Sequence, residues 1–445
     1  MMRSNKALVA FVLAAMTCWL APSQAAAENV LPHYAQDKSL GVASCSSSLC
    51  HGSIETWKES NVLQNEYVTW NRTDKHARAY AVLLNGQSKE IAKKLGLKQP
   101  AHQSNVCLDC HAHNPQPAQR GEKFSITDGV SCEACHGPGE RWIKSHVAIR
   151  ATHEDNLDKG LYKTEDDVSR VKLCLSCHLG TDKKFVTHRI MAAGHPRMSF
   201  ELDTFTQIGP AHFKIDDDWH KRKGSWDGVR AWAIGQAVYS QEMLGLLLGP
   251  RGRDGLFPEL VLFDCHSCHH NMSDKRNTAA RVGAGPGIVR LNDASFLMLR
   301  QIAKRVDANN AGTLAKQVSA LHHAIADGDD ALKNAREVHA AIGKLIPKIS
   351  AHKFTAEDLR GIMIGLIDEG LDGQYGDYQG AEQAVMAVQS VADFMGRSGM
   401  LRTAALRPDL KRLLALVAND EKYRSASFEQ ALRSLKSSIA TGAVK

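Results

Sequence analysis

The chain has 445 residues, with 55 Lys and Arg against 48 Asp and Glu, 21 His and 11 Cys. After the first thirty residues no stretch reaches the roughly 18 consecutive apolar residues of a transmembrane helix, so a multispanning membrane protein is excluded. The net charge of +7 on its own suggests nucleic acid or acidic lipid as a partner, but the cysteine pattern accounts for it differently.

Residues 1–27 read as a secretory signal: Arg3 and Lys6, an apolar run from Ala7 to Ala21, then Ala25, Ala26 and Ala27, after which cleavage is expected. Cys18 leaves with it, and the charge falls to +5. All ten remaining cysteines fall in five motifs. Four have the form CxxCH: Cys107, Cys110 and His111; Cys132, Cys135 and His136; Cys174, Cys177 and His178; Cys265, Cys268 and His269. The first motif, Cys45, Cys50 and His51, is a stretched CSSSLCH.

CxxCH is the pattern of a c-type haem attachment site: the thiols become thioethers on the porphyrin and the adjacent imidazole becomes an axial iron ligand. Paired CxxC sequences also suit structural zinc. The histidines decide between the two. About one residue in twenty is His, so five out of five directly after the second cysteine has a chance probability on the order of one in a million, and zinc chemistry gives no reason for it. The cofactor expected is therefore haem c, five copies, with the copy at Cys45 and Cys50 requiring a bulged loop. The haem propionates offset the basic excess, so no nucleic-acid partner is needed.

All five motifs precede the Gly/Pro-rich stretch 281–290, and no cysteine follows it. This divides the chain into a signal (1–27), a pentahaem cytochrome c domain (28–288) and an α-helical domain (289–445). The fold class expected is mainly α: a multihaem domain with little regular sheet, then a C-terminal α-helical bundle. Short helices are expected around His76 and from Arg230 to Gly249. Only 21 residues separate Cys110 from Cys132 and 38 separate Cys135 from Cys174, which forces those macrocycles close together. In the C-terminal part, apolar residues recur at helical spacing: Phe296, Leu299, Ile302 and Val306; Leu359, Ile362, Met363, Leu366 and Ile367, with Thr355 and Asp358 as an N-terminal cap; Leu410, Leu413, Leu414 and Val417 after Pro408; Phe428, Leu432, Leu435 and Ile439. About five to seven helices should follow. His322, His323, His339 and His352 on this bundle are expected to face solvent or a neighbour.

Each motif histidine fills one axial position, and what fills the other separates a carrier from a catalyst. For the irons of His178 and His269 the expected partners are His188 and His195, with His212 and His220 behind them. His113 is too close in sequence to His111 to reach the opposite face, and His266 lies inside its own attachment loop. His33 and His153 are reserves. His146 follows its motif too closely to return to its own iron, and His111 has no partner that spacing identifies.

The stretch TDGVSCEACHGPGERWIKSH (Thr127 to His146), with TDKHARAY upstream and CLSCHLG downstream, resembles the multihaem cytochrome c-554/c-prime family, related to the haem core of hydroxylamine oxidoreductase. The resemblance runs from Cys45 to about His195 and does not extend to the C-terminal helices. In that family distal histidines come from elsewhere in the chain. The resemblance then implies that His146 ligates the iron of His51, and His76 that of His136. It also implies a five-coordinate haem at the position of His111, the one catalytic candidate in the chain. The leading expectation is a periplasmic electron-transfer cytochrome working between donor and acceptor proteins. The alternative is an oxidoreductase acting on a small nitrogen or sulfur compound at the open haem. The C-terminal helices are expected to cover the haem domain, dock a partner or join copies in an oligomer.

Overall fold

The computed structural model describes residues 30–224, 226–250, 259–269, 290–327 and 330–443. The expected signal and most of the stretch 281–290 lie outside these residues. The fold is mainly α. Among the described residues the only β pairing is three isolated bridges, Ser39 with Arg120, Gly180 with Phe185 and Phe263 with Leu291.

Helices in the first half are short, and each has a local stop. Gly86–Leu95 begins where the Asn85 side chain accepts the Ser88 N–H at 2.8 Å and ends at Gly96, whose φ of 68° is left-handed. Asn105–His111, Cys132–His136 and Asp167–His178 each end on a motif histidine. Protein packs little here. One apolar cluster is made by Leu83, Ala92, Ala101, Leu108 and Ala112, which is small for so long a stretch.

The second half packs differently. One continuous core runs from Val171 to Leu435. At its centre is Gly228–Leu248, started by the Asp227 side chain accepting the Arg230 N–H and apolar on nearly every face, as a helix surrounded by others must be. It packs most extensively on Ala331–Ala351, and also on Ala294–Val306, Tyr378–Arg397, Leu202–Ile208 and the motif-bearing Asp167–His178. Packing thus runs across residue 288: this helix, which the sequence reading groups with the haem segment, is embedded among the later helices.

Seven helices from Ala294–Val306 to Ser425–Ser438 form the C-terminal bundle among the described residues. Thr355 and Asp358 make the expected capping box. One detail differs from expectation: Pro408 lies inside Thr403–Leu416 instead of preceding it. His322 is 5% exposed and faces a neighbour, with Nε2 3.6 Å from Asp293 Oδ2. No helix among the described residues is long and apolar enough to cross a membrane.

One buried carboxyl in this core has a pH consequence. Glu201, 1% exposed, caps Leu202–Ile208 by accepting the N–H groups of Asp203 at 2.8 Å and Thr204 at 2.7 Å. Burial, with Asp203 alongside, pushes its carboxyl up to about 7 from an ordinary 4.5. The folded protein therefore keeps a proton that the unfolded chain releases. The stabilisation from this group is complete below about pH 4.5 and is lost as pH rises to about 7, on the order of 3 kcal/mol. Denaturant midpoints at about pH 5 and about pH 8 should differ less in Glu201→Gln than in the wild type. An unchanged difference would remove Glu201 as its source.

Candidate haem-binding sites

The stretched first motif closes through turns. Cys50 and Gly52 donate their N–H groups to Ser47 O, both at 2.9 Å, and His51 donates to Cys45 O at 3.2 Å. The loop returns so tightly that a Cβ on Gly52 would stand 2.0 Å from Ser46 O, so glycine is required after His51. Glu66 Oε2 lies 2.9 Å from His51 Nδ1 and raises its pKa. The His51 ring faces that of His146, with centroids 6.3 Å apart and planes at 16°. His146 Nδ1 in turn donates to Ile143 O at 2.7 Å.

The same arrangement recurs at every motif. His111, whose Nδ1 donates to Ala79 O at 3.1 Å, faces His195 at 6.3 Å; His195 Nδ1 donates to Pro196 O at 2.8 Å. His136 faces His212 at 6.2 Å, and burial lowers the His136 pKa to about 4. His178, packed on Phe200 and Phe205, faces His76 at 6.3 Å, and His76 Nδ1 lies 3.0 Å from Asp74 Oδ1. His269 faces His188 at 6.2 Å.

The spacing tests the cofactor. A metal about 2.0 Å from each of two imidazole nitrogens, with each ring centre about 1.15 Å behind its nitrogen, sets the centroids about 6.3 Å apart. All five pairs match this value. Where an Nδ1 partner is present it is a carboxylate or carbonyl, which leaves Nε2 free to ligate; this is the usual outer support of a metal-bound imidazole. Two nitrogens beside a pair of free thiols suit haem c, not a four-ligand zinc site.

Three expected pairings are corrected. His76 faces His178, not His136, because the turn Asp74 to Arg78 lies beside the end of Asp167–His178. His136 faces His212, which the sequence reading held in reserve for the irons of His178 and His269. His195 stands opposite His111 and not His178, so the position expected to be open has an imidazole facing it. His146 faces His51, as the resemblance implied, and His188 faces His269, one of the two irons for which His188 and His195 were offered without individual assignment.

The motifs lie together in an order different from their order in the chain. The thiols of Cys45 and Cys132 lie close enough to perturb one another, as do those of Cys110 and Cys177. Cys135 lies within electrostatic reach of Cys174 and Cys177. His188 and His195 sit on one short segment. Sequence reasoning missed the residues around these groups. Asp74, two residues before His76, was legible as a turn-forming Asp that could reach the ring. Glu66 and Lys184 carried no signal. Lys184, 8% exposed, donates from Nζ to Asp109 O at 2.9 Å and Cys177 Sγ at 3.0 Å.

Residues 44–137, which hold the first three motifs, match the family model for cytochrome c554 and c-prime. The cytochrome c-554 of Nitrosomonas europaea (strain ATCC 19718) is 29% identical over 155 residues, 31% of this chain and 57% of that protein. Over this stretch the chain resembles the cytochrome c-554 family. No solved structure matches. The chain thus spans little more than half the length of the relative.

Proposed function

We propose that this protein is a periplasmic five-haem cytochrome c that passes electrons between donor and acceptor proteins, with two imidazoles at every iron. The observation that carries this reading is the set of five facing ring pairs at 6.2 to 6.3 Å, one per motif. Haem, when bound, supplies one-electron exchange between ferric and ferrous iron. The cysteine pairs Cys45 and Cys50, Cys107 and Cys110, Cys132 and Cys135, Cys174 and Cys177, and Cys265 and Cys268 hold it covalently. His51 with His146, His111 with His195, His136 with His212, His178 with His76, and His269 with His188 would hold the irons. Glu66 and Asp74 accept the Nδ1 protons of His51 and His76, making those two imidazoles the most electron-rich ligands.

The proximity of the thiols supports an electron route in the order first, third, fourth and second motif, and the segment that carries both His195 and His188 extends it to the fifth. Export is supported by the signal features of residues 1–27. An oxidoreductase reading requires an open iron, and the geometry at His111 argues against one because His195 faces it.

Electron-spin resonance of the oxidised protein, taken with the mass of the mature chain, tests the proposal. Wholly low-spin signals and five haems are expected. A high-spin signal that shifts with nitrite or hydroxylamine would favour the enzyme, and a mass lacking one haem would remove the stretched motif from the set.

A further inference from the structure

His195 reaches His111 from a segment with little local support. Its N–H donates to Ile190 O at 3.3 Å, its Nδ1 to its own neighbour Pro196, and Gln87 Nε2 to Gly194 O at 3.0 Å. Gly194 has a φ of 120°, so no regular helix carries the chain into His195. The firm anchor comes immediately after, and from a distant part of the sequence. Arg197 Nη2 donates to Glu382 Oε1 at 2.8 Å, and Ser199 Oγ donates to Glu382 Oε2 at 2.9 Å.

Glu382 is itself held. The Tyr378 hydroxyl donates to its Oε1 at 3.1 Å, and the Arg197 guanidinium lies 4.9 Å from the centre of the Tyr378 ring. The next residue of the same helix, Gln383, donates from Nε2 to Phe200 O at 3.1 Å and accepts at Oε1 from Gln236 Nε2 at 3.0 Å. The Arg197 and Glu382 side chains are 20% and 18% exposed, so water competes weakly for the pair. Both Glu382 oxygens are used, and both hold the strand of chain that leaves His195.

We propose that Glu382, on the cysteine-free Tyr378–Arg397 helix, is the positioning residue that keeps His195 over His111, so that the C-terminal bundle locks one iron against outside ligands. The lock deepens the five-haem reading and rests on it. It gives the bundle a chemical role. With the clamp intact that centre exchanges electrons only; with the clamp broken, His195 and its short segment can leave and a small neutral ligand can enter.

The test uses full-length holoprotein and carbon monoxide as the probe. Glu382→Ala and Arg197→Met each break the pair from one side, and Arg197→Met leaves the helix of Glu382 untouched. His195→Ala is the positive control. Far-ultraviolet circular dichroism and haem mass confirm that each variant is folded and loaded. The wild type should show no high-spin signal and no carbon monoxide adduct on reduction. Both clamp variants should gain one high-spin centre in five and bind one carbon monoxide per chain, as His195→Ala does. If both stay low-spin and silent to carbon monoxide while His195→Ala opens, the clamp is overturned. A high-spin centre in the wild type would instead overturn the paired-imidazole reading, and the lock with it. The two failures therefore appear in different proteins.

Discussion

Replacing Cys132 and Cys135 together by alanine should remove one haem and unfold much of the N-terminal half, whereas the same double change at Cys265 and Cys268 should remove one haem and leave the fold standing. The contrast comes from where each motif is built. Glu133, within the third motif and 3% exposed, accepts the N–H groups of Leu40 at 2.8 Å, Gly41 at 2.7 Å and Gly139 at 2.7 Å. The His136 carbonyl accepts the Tyr162 N–H at 2.9 Å, and a Cβ on Gly137 would stand 2.3 Å from Gly160 O. Two separated segments therefore close on this one motif. Since the described residues of the half around it form one small apolar cluster, the proposed macrocycle would supply the missing core.

Its loss should cost on the order of 5 kcal/mol, the range reserved for removal of a metal or cross-link. The fifth motif is different. Cys268 is exposed, and Leu262 and Phe263 just before it belong to the large continuous core, which needs no cofactor to hold. Haem mass with thermal melting followed by circular dichroism compares the two double variants. Equal melting temperatures would show that the third site carries no special structural weight.

Trp232→Ala should lower the unfolding midpoint of the whole molecule. The side chain is 0% exposed in the second turn of Gly228–Leu248. Removing a buried indole costs about 3–5 kcal/mol in lost transfer energy and cavity, a large part of the roughly 5–15 kcal/mol that holds a domain folded. The helix bears on both Asp167–His178, which carries Cys174, Cys177 and His178, and Ala331–Ala351 in the bundle. Haem absorbance and far-ultraviolet circular dichroism should therefore shift to lower denaturant together. If only the circular dichroism moved, the two halves would be unfolding independently.

These effects follow from features that were unequally legible. The attachment residues could be read directly, because thioether formation requires two thiols and an imidazole in one short run. The bundle was legible for a similar reason: Leu359, Ile362, Met363 and Leu366 repeat at helical spacing, and Thr355 with Asp358 marks the start. The ring partners were only half legible. His146 could be paired with His51 only through the family resemblance, since Gly137, Pro138 and Gly139 say no more than that the chain turns away from its own motif. His76 could not, since its partner depends on how the Asp74 turn docks against a helix one hundred residues later.

His195 shows the limit most plainly. Nothing near it in sequence says that it faces His111, and its placement depends on Glu382, which lies in a region without any haem motif. What the sequence by itself determined is the local chemistry: the c-type attachment sites, the mainly helical fold and the caps that start its helices. These are set by residues a few positions apart. Only the tertiary structure decided which histidine meets which, how the five motifs are ordered in space, and that the helix around Trp232 joins the two halves. Those depend on long-range packing, where many pairings satisfy the same spacing and only the one compatible with a filled core is realised.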